Sequence, residues 1–355
     1  MSCTILPAIM SGGAGTRLWP ASTDERPKQF LALCGPQTLF ENTLARVRGR
    51  HGAIDFAPPL ILANIKHAEL VEASLAAAGL RPSAIALEPE PRNTAAAGAV
   101  AAALGAELSP DALVLLMPAD HIVTDVAAFH KAIETAAPFA RDNIVTFGVK
   151  PNRAATEYGY IRAGAALGNG VSAIHSFHEK PDAAKAAAYL ATGEYSWNAG
   201  LFLFSPKVML EEFAHSEAIR DGALRALSHA KREGGRIILS APHFAGIPAA
   251  PLDVAVMEKT KRGAVLPCDL GWADVGSWDE VWRLSPQDQA GNALSGAVVV
   301  DAAKNTLVVA DGVKVCLAGV EDLIVIATKD AVMVLPRDRA QQVKALREAM
   351  LKMNT

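Results

Sequence analysis

The sequence has few cysteines, and none of them are spaced like the ligands of a metal site. Its 355 residues include four cysteines, Cys3, Cys34, Cys268 and Cys316, with no Cys-x-x-Cys motif. A disulfide framework needs closely spaced cysteines in a short secreted chain, and a structural zinc site needs paired ligands. The sequence therefore excludes both classes, and we expect ordinary reduced thiols.

The sequence also lacks a long apolar segment and a large excess of charge of either sign. Its longest unbroken apolar run, Ala95–Ala106, is shorter than the about 17 residues that a membrane-spanning helix needs. Lysine and arginine total 34 against 37 aspartate and glutamate, a formal charge of −3. The overall charge therefore does not favour binding to nucleic acid or to an anionic membrane. With no signal peptide evident, we expect a cytoplasmic, water-soluble protein.

Short apolar segments alternate with helical patterns over the first two thirds of the chain. Hydrophobic residues make up 51% of the sequence, enough for a large core. Four segments predict strands buried on both faces of a sheet: Ile5–Met10, Pro59–Ala63, Leu113–Met117 and Asn143–Gly148. Three others predict helices: the segment that begins at the Thr38-x-x-Glu41 capping box, His67–Ala78, and the alanine-rich segment from Thr94. The alternation predicts an α/β sandwich with a mostly parallel sheet.

The last part of the chain has a different pattern. Five short apolar segments succeed one another at intervals of about ten residues, which predicts a small all-β, β-helix-like unit: Val298–Val300, Thr306–Val309, Lys314–Leu317, Leu323–Ala327 and Val332–Leu335. A final amphipathic helix is predicted over Arg339–Leu351. Turn-forming residues cluster at Ser285–Gly291, so we place one domain at residues 1–288 and a C-terminal β domain with its terminal helix at 289–355.

A glycine-rich segment directly follows the first predicted strand. Gly12, Gly13 and Gly15 let backbone N–H groups approach phosphate oxygens without interference from a Cβ. Arg17 adds a planar, permanently charged guanidinium, and Lys28 is a second cation a few residues further on. The segment predicts a phosphate-binding loop, and a purely structural strand-to-helix turn is the alternative that it leaves open.

Two widespread phosphate-binding loops are excluded for this segment. It contains no G-x-x-x-x-G-K-[ST] motif, so it is not a P-loop. A dinucleotide fingerprint needs Gly or Ala where this chain has Leu18, and Pro20 interrupts the helix that should come next. The interpretation of the chain as a nicotinamide-dependent dehydrogenase therefore loses its main support.

The glycine-rich segment and six further segments resemble the sugar-1-phosphate nucleotidyltransferases. The family signature is a strand followed by G-G-x-G-T-R-L-x-P and a Pro-Lys pair, matched here at residues 12–20 and at Pro27-Lys28. The other segments occur in the family's order: EPEPRNTA (88–95), PADH (118–121), EYGYI (157–161), FHEKP (177–181), WNAGLF (197–202) and GWADVGSW (271–278). The resemblance implies a Rossmann-like, GT-A-like α/β/α nucleotidyltransferase domain in residues 1–288.

Asp120 is a candidate metal ligand. It follows the strand Leu113–Met117, at the edge where open α/β sheets place ligands. A Mg²⁺ ion needs only one or two carboxylates, because phosphate and water oxygens complete its octahedron. An aspartate after a strand is also a common turn or cap residue, so position alone leaves the role open. The family resemblance implies that Asp120 and Asp274 share one Mg²⁺ at the α-phosphate.

The resemblance also assigns residues to the two substrates. It implies nucleotide binding by Gly12, Gly13, Gly15, Thr16, Arg17, Lys28, Asn93, Thr94 and Asp120, and sugar-phosphate binding by Gly159, Glu179, Lys180 and Asn198. Arg17, Lys28 and Lys180 would carry the catalytic positive charge. Without the resemblance, Asn93 or Thr94 would be a helix cap, and Glu179–Lys180 a solvated charge pair on a loop.

The implied reaction is transfer of a nucleoside monophosphate to a sugar 1-phosphate. Trp19-Pro20 and Pro27-Lys28-Gln29-Phe30 resemble more narrowly the members that use GTP and mannose 1-phosphate. The alternatives are another hexose 1-phosphate or nucleotide, or a regulatory homologue that binds without turnover. The resemblance further implies a homodimer, and we expect no nucleic-acid or membrane partner and no appended isomerase activity.

Overall fold

The computed structural model describes residues 2–13 and 15–353. Their strands, in chain order, are β1 (Cys3–Ser11), β2 (Gly49–His51), β3 (Ile54–Phe56), β4 (Leu60–Asn64), β5 (Ala84–Glu88), β6 (Leu113–Pro118), β7 (His121–Val123), β8 (Ile144–Val149), β9 (Tyr160–Gly168), β10 (Val171–His178), β11 (Tyr195–Phe204), β12 (Lys231–Glu233), β13 (Arg236–Ile238), β14 (Gly263–Pro267), β15 (Trp272–Asp274), β16 (Ala293–Asp301), β17 (Leu307–Ala318), β18 (Leu323–Ala327) and β19 (Val332–Pro336).

The α-helices of the same residues are α1 (Leu39–Ala45), α2 (Ala68–Ala77), α3 (Asn93–Leu108), α4 (Val126–Ala136), α5 (Ala183–Thr192), α6 (Pro206–Glu212), α7 (Glu217–Ser228), α8 (Ala241–Phe244), α9 (Trp278–Leu284) and α10 (Val343–Met353). The capping box predicted at the start of α1 is confirmed. The Thr38 N–H donates to Glu41 Oε2 at 2.8 Å, and the Glu41 N–H donates to Thr38 Oγ1 at 3.1 Å.

The chain packs as two compact units. The first contains the residues up to Gly12 together with Leu44–Ala119 and Val123–Trp272. The second contains Gly13–Thr43, Asp120–Ile122 and the residues from Ala273 onward. The second unit therefore joins three stretches that are far apart in sequence. The domain boundary predicted at residue 288 falls inside this second unit. That boundary stays a prediction.

The first unit is built on a sheet of thirteen strands, and the predicted α/β fold is confirmed. Its strand order is β12-β13-β5-β4-β1-β6-β11-β8-β14-β10-β9, with β2 and β3 added beside β1. Strands β13, β5, β4, β1 and β6 run parallel, as do β8 and β14. Strand β11 lies antiparallel between β6 and β8, so the sheet is mixed around its parallel centre.

The alanine-rich helix α3 packs closely on this sheet because small residues line it. A Cβ on Gly105 would lie 2.6 Å from Val114 Cγ2 of β6, and one on Gly98 would lie 3.2 Å from Leu252 Cδ1. Larger side chains at these positions would therefore push the helix away from the strands. The alanine and glycine content of this segment is explained by packing.

The second unit contains the C-terminal β domain, whose β-helix-like character is confirmed. Strands β16, β17 and β18 pair in parallel, and β19 closes the sheet antiparallel to β18. One part of the prediction is wrong: Thr306–Val309 and Lys314–Leu317 belong to a single strand, β17. The register passes from Gly296↔Ala310 to Ala297↔Lys314, so residues 311–313 bulge outward and the strand continues. The Asp311-Gly312 turn signal marks that bulge.

The hydrophobic core of the second unit joins its N-terminal and C-terminal parts. Leu18 and Trp278 are buried in one cluster with Leu307 and Ile324. The Trp278 indole N–H also donates to the main-chain oxygen of Trp19 at 3.0 Å. The glycine-rich loop is thus supported by residues that come hundreds of positions later in the chain. Among the described residues, no helix is long and apolar enough to cross a membrane.

Candidate functional site

Lys28 lies between the two aspartates that the sequence analysis selected. Its Nζ is 3.0 Å from Asp120 Oδ2 and 3.2 Å from Asp274 Oδ1, and it also donates to the main-chain oxygen of Val275 at 3.0 Å. All of these residues belong to the second unit. Asp120 comes directly after β6, and Asp274 ends β15, which pairs with β7 in a two-stranded sheet. Folding therefore brings together two carboxylates that are 154 positions apart in sequence.

The charges in this cluster stabilise one another. Burial alone would lower the pKa of the Lys28 ammonium, but the charges and hydrogen bonds of Asp120 and Asp274 outweigh burial and hold that pKa above its ordinary value. Burial alone would raise the pKa of Asp274, and Lys28, His121 and Arg17 together hold it well below its usual range. Lys28 is thus a charged, largely buried cation, with 13% of its side chain exposed.

His121 adds a fourth titratable group to the cluster. Its Nε2 lies 4.0 Å from Asp120 Oδ1 and 3.9 Å from Asp274 Oδ1. These distances are longer than a hydrogen bond, so the imidazole acts on the carboxylates through its charge when it is protonated. Within residues 2–13 and 15–353, no group of three or more His, Cys, Asp or Glu side chains is arranged to hold a metal ion.

The glycine-rich loop borders the same cluster. Gly15 has a φ of +58°, and a Cβ there would lie 2.8 Å from Lys28 Cβ, so this position requires glycine for two independent reasons. Thr16–Leu18 form one turn of 3₁₀-helix, and Arg17 reaches Gln341 Oε1 at 3.5 Å. A cavity of about 200 Å³ is lined by Gly15, Thr16, Arg17, Leu18, Lys28 and Gly276. Gly12 and Gly13 face open space, since a Cβ on either would meet no atom within 4 Å.

The four predicted sugar-site residues lie together in the first unit. The Asn198 N–H donates to the Gly159 oxygen at 2.8 Å, and a Cβ on Gly159 would lie 2.9 Å from Glu179 Oε2. Gly159 is therefore needed to make room for the Glu179 carboxylate. Lys180 Nζ pairs with Glu179 Oε1 at 2.8 Å, while 60% of the Lys180 side chain stays exposed. Lys180 has a φ of +46°, a strained conformation of the kind that concentrates at functional sites.

Asn93 and Thr94 do not cap α3 through their side chains. Asn93 has a φ of +63°, and its Oδ1 accepts from the neighbouring Thr94 N–H at 2.8 Å. Thr94 Oγ1 accepts from the Leu252 N–H at 2.9 Å. The capping interpretation of these two residues is therefore wrong. The Thr94 hydroxyl instead ties α3 to the segment around residue 252.

Sequence reasoning missed three acidic residues beside the predicted sites. Glu88 ends β5 with its side chain buried, and its Oε1 has no hydrogen-bond partner among the described residues. Burial raises the pKa of Glu88 to about 7. Asp253 and Glu258 lie at the ends of a short turn beside Asn198 and Glu179. Glu88 stood within a quoted segment without being singled out, whereas Asp253 and Glu258 have no periodic or motif signal.

A second cavity, in the first unit, is lined in part by residues of the quoted segments WNAGLF and GWADVGSW. It measures about 710 Å³ and lies at the ends of β8 and β14 and the start of β11. Lys150, Trp197 and Trp272 are among the residues that line it. Open α/β sheets bind ligands at the carboxyl ends of their strands, and this cavity has that position.

These features define an α/β protein with a glycine-rich loop after the first strand of its sheet and a C-terminal β domain. The chain belongs to the nucleotidyl transferase family, whose profile matches residues 6–291. Residues 295–349 match the profile of the MannoseP isomerase/GMP-like beta-helix domain. The first match covers the larger, N-terminal part of the chain, and the second covers the C-terminal β domain.

Named relatives are similar over nearly the whole chain. The alginate biosynthesis protein AlgA of Pseudomonas aeruginosa is 43% identical over 345 residues, which is 96% of this chain and 71% of that protein. A mannose-1-phosphate guanylyltransferase of Escherichia coli is 41% identical over 356 residues, 99% of this chain and 74% of that protein. A crystal structure described as mannose-1-phosphate geranyltransferase, from Thermus thermophilus, matches with a TM-score of 0.82 at 33% identity, covering 98% of this chain and 99% of its own.

Proposed function

We propose that this protein transfers GMP from GTP to α-D-mannose 1-phosphate, forming GDP-mannose and pyrophosphate. The observation that carries the proposal is Lys28 held between Asp120 and Asp274, in the unit that contains the glycine-rich loop. Such a site offers a preorganised positive charge and two carboxylates where phosphates would lie. The E. coli relative named mannose-1-phosphate guanylyltransferase supports the choice of substrates.

The chemical step is a displacement at phosphorus. An oxygen of the sugar phosphate attacks the α-phosphorus of GTP in line, the bond from that phosphorus to the bridging oxygen breaks, and pyrophosphate leaves. No general base is needed, because a phosphomonoester with a second pKa of about 6 is already largely a dianion at neutral pH. The protein must orient two polyanions and balance their charge. We assign that work to Arg17, Lys28 and Lys180, together with the loop amides of Gly12, Gly13, Gly15 and Thr16.

The donor set of the cluster suits Mg²⁺. Asp120 and Asp274 supply hard carboxylate oxygens around one position, where the Lys28 ammonium now stands as the cation. We therefore propose that these two aspartates hold the ion together with phosphate and water oxygens. When bound there, Mg²⁺ would neutralise charge on the α-phosphate as a Lewis acid.

Glu88 supports a guanine base over an adenine base. The Watson–Crick edge of guanine presents N1–H and N2–H donors, and a carboxylate accepts both, whereas adenine presents an acceptor at N1. Glu88 has a buried oxygen without a donor, at the carboxyl end of a strand that lies two strands from β1 in the sheet. Neighbouring strands are about 4.8 Å apart, so Glu88 lies roughly 10 Å from the end of β1.

The test is pyrophosphate release by the purified protein, measured with four nucleoside triphosphates and several hexose 1-phosphates. GTP with mannose 1-phosphate should be the fastest pair, and chelation of divalent cations should abolish release. A different preferred pair would replace the proposed substrates within the same reaction. If no pair gave turnover while GDP-mannose bound tightly, the protein would be a regulatory homologue.

We further propose that the protein acts in the cytoplasm as a homodimer. The cysteines Cys3, Cys34, Cys268 and Cys316 are free thiols, in keeping with a reducing compartment. Val299 on β16 and Val332 on β19 are 66% and 64% exposed and offer apolar surface for self-association. Light scattering should give twice the monomer mass, and a monomeric mass at working concentration would contradict the dimer.

A further inference from the structure

One turn of π-helix, Asp253–Met257, lies in the first unit outside the segments that the sequence analysis selected. The Glu258 N–H donates to the Asp253 oxygen at 2.8 Å, which closes the i to i+5 hydrogen bond of a π turn. Such turns are rare in proteins as a whole, and those that occur are often found at functional sites. This one places a carboxylate at each of its ends, and each of them contacts a different residue of the predicted sugar site.

The first of these contacts fixes the amide of Asn198. The Asn198 Nδ2 donates to Asp253 Oδ1 at 2.8 Å, while Asn198 Oδ1 accepts from Thr146 Oγ1 at 2.7 Å and from the Gly200 N–H at 3.2 Å. The Thr146 hydroxyl has one proton and also lies 2.9 Å from the Leu201 oxygen, so the Gly200 N–H and the Asp253 carboxylate together fix which way the amide points. Asn198 can then offer a ligand only the remaining N–H of its amide, as a donor.

The second contact holds the backbone of Glu179. Glu258 Oε1 accepts from the Glu179 N–H at 3.0 Å. The Glu179 carboxylate is itself held by its ion pair with Lys180, in space that Gly159 leaves open. A ligand hydroxyl that donates to Glu179 would therefore meet an acceptor whose position is set at both main chain and side chain.

The charges around Asp253 make its protonation sensitive to pH. Burial raises the pKa of Asp253 to about 7, Glu179 and Glu258 add to the increase, and Lys180 opposes it. Three carboxylates thus face a single ammonium group. A dianionic sugar phosphate would be repelled more strongly when Asp253 is charged than when it carries a proton.

We propose that the π turn with its C-cap, residues 253–258, positions the acceptor-sugar site, with Asp253 orienting the Asn198 amide and Glu258 holding the Glu179 main chain. This inference rests on the proposed function, because it takes a sugar 1-phosphate as the ligand of that site. Asp253 and Glu258 are positioning residues, since each acts through a neighbour. Their effect is expected on the acceptor and not on the nucleotide.

Paired substitutions separate positioning from folding. Asp253→Ala removes the acceptor of the Asn198 amide N–H, and Glu258→Ala removes the acceptor of the Glu179 N–H. Each change should weaken mannose 1-phosphate binding about 5- to 150-fold. Asp253→Asn and Glu258→Gln keep a carbonyl oxygen as acceptor and should restore most of that binding. In the wild type, KM for mannose 1-phosphate should rise as the pH passes 7. In Asp253→Asn that rise should be absent, and KM for GTP should be unchanged in all four variants.

Calorimetry with mannose 1-phosphate and with GTP, alongside turnover, decides the outcome. Val254→Ala, on the exposed side of the same turn, is the matched control and should behave as wild type. If the wild type turns over and both alanine variants bind mannose 1-phosphate as it does, the positioning role is wrong and the proposed function stands. If the wild type binds mannose 1-phosphate without turnover and the alanine variants lose binding, the positioning role stands and the proposed function is wrong. If the wild type binds no sugar 1-phosphate, both are wrong.

Discussion

Lys28 has a structural role in addition to the chemical role that we propose for it. Its ammonium balances Asp120 and Asp274 in the folded protein, so its removal would leave two close carboxylates without a cation. Loss of one partner from a buried ion pair typically costs about 3–5 kcal/mol. Substitutions of Lys28 therefore change stability and activity together. The aspartates allow a cleaner test, because Asn has the same shape.

Asp120→Asn and Asp274→Asn should each fold and require far more Mg²⁺ for half-maximal rate. Either change removes one of two carboxylate ligands, and kcat should fall roughly a hundredfold. The double variant should be little worse than either single one, since two ligands of one ion act as a unit. The measurement is a Mg²⁺ titration of the initial rate. Asp221→Asn, at an exposed ion pair, is the control, and an unchanged titration in Asp274→Asn would make Asp274 a partner of Lys28 only.

Glu88→Gln should increase stability at neutral pH and weaken GTP binding. The pKa of Glu88 is raised from 4.5 to about 7, so its favourable contribution is present below pH 4.5 and is lost as the pH rises to 7. Glutamine does not titrate. As the pH rises from 4.5 to 7, the free energy of unfolding of the variant should therefore come to exceed that of the wild type by up to roughly 3 kcal/mol. Urea unfolding at pH 5 and pH 8 measures the change.

The same variant tests base recognition. Loss of the carboxylate should reduce the preference for GTP over ATP, as measured by their dissociation constants. Glu72→Gln is the control: Glu72 is paired with Arg236 at the surface, and the hydrogen bond from Arg236 holds its pKa below the ordinary value. If the GTP to ATP ratio stayed the same, Glu88 would have no part in reading the base.

Among the elements, the glycine-rich loop and the π turn differ in what the sequence could reveal. The loop was predictable because glycines at fixed spacing have a direct backbone consequence, seen in the φ of +58° at Gly15. Lys28 was also identified, but not its ion pairs, since contacts across 246 positions leave no local pattern. The π turn could not be predicted, because neither its backbone hydrogen bond nor the partners of Asp253 and Glu258 are encoded in its own five residues.

Gly15→Ala should abolish most activity, whereas Gly79→Ala should not. Both positions have nearly the same positive φ, +58° and +63°, so both substitutions carry a similar strain of about 1 kcal/mol. A Cβ at Gly15 would also lie 2.8 Å from Lys28 Cβ, whereas one at Gly79 would meet no atom within 4 Å. Comparison of Tm and kcat in the two variants separates strain from displacement of Lys28. Equal kcat in both would show that Lys28 tolerates the shift.

At the scale of the whole molecule, the C-terminal β domain supports the glycine-rich loop from within the second unit. Ile324 of β18 is fully buried in the cluster that contains Leu18. Ile324→Ala should cost about 2–5 kcal/mol of unfolding free energy and should weaken GTP binding at temperatures well below Tm. Asp330→Ala, at an exposed turn position of the same domain, should change stability by less than about 0.5 kcal/mol.

Calorimetry with GTP and urea unfolding check both variants. Weakened GTP binding in Ile324→Ala would show that the β domain maintains the loop. Unchanged GTP affinity in a destabilised Ile324→Ala protein would show that it contributes to stability alone.

The interrupted path of the chain through the second unit has a consequence for synthesis. Residues 13–43 are made early, but the strands that complete their core begin at Ala293. At roughly 5–20 residues per second, a ribosome needs on the order of tens of seconds to cover that interval. During this time Leu18 and Leu39 lack the C-terminal side chains that bury them in the folded protein. The nascent chain should therefore bind nucleotide only after the strands from Ala293 onward have been made, so that a shorter polypeptide does not sequester substrate.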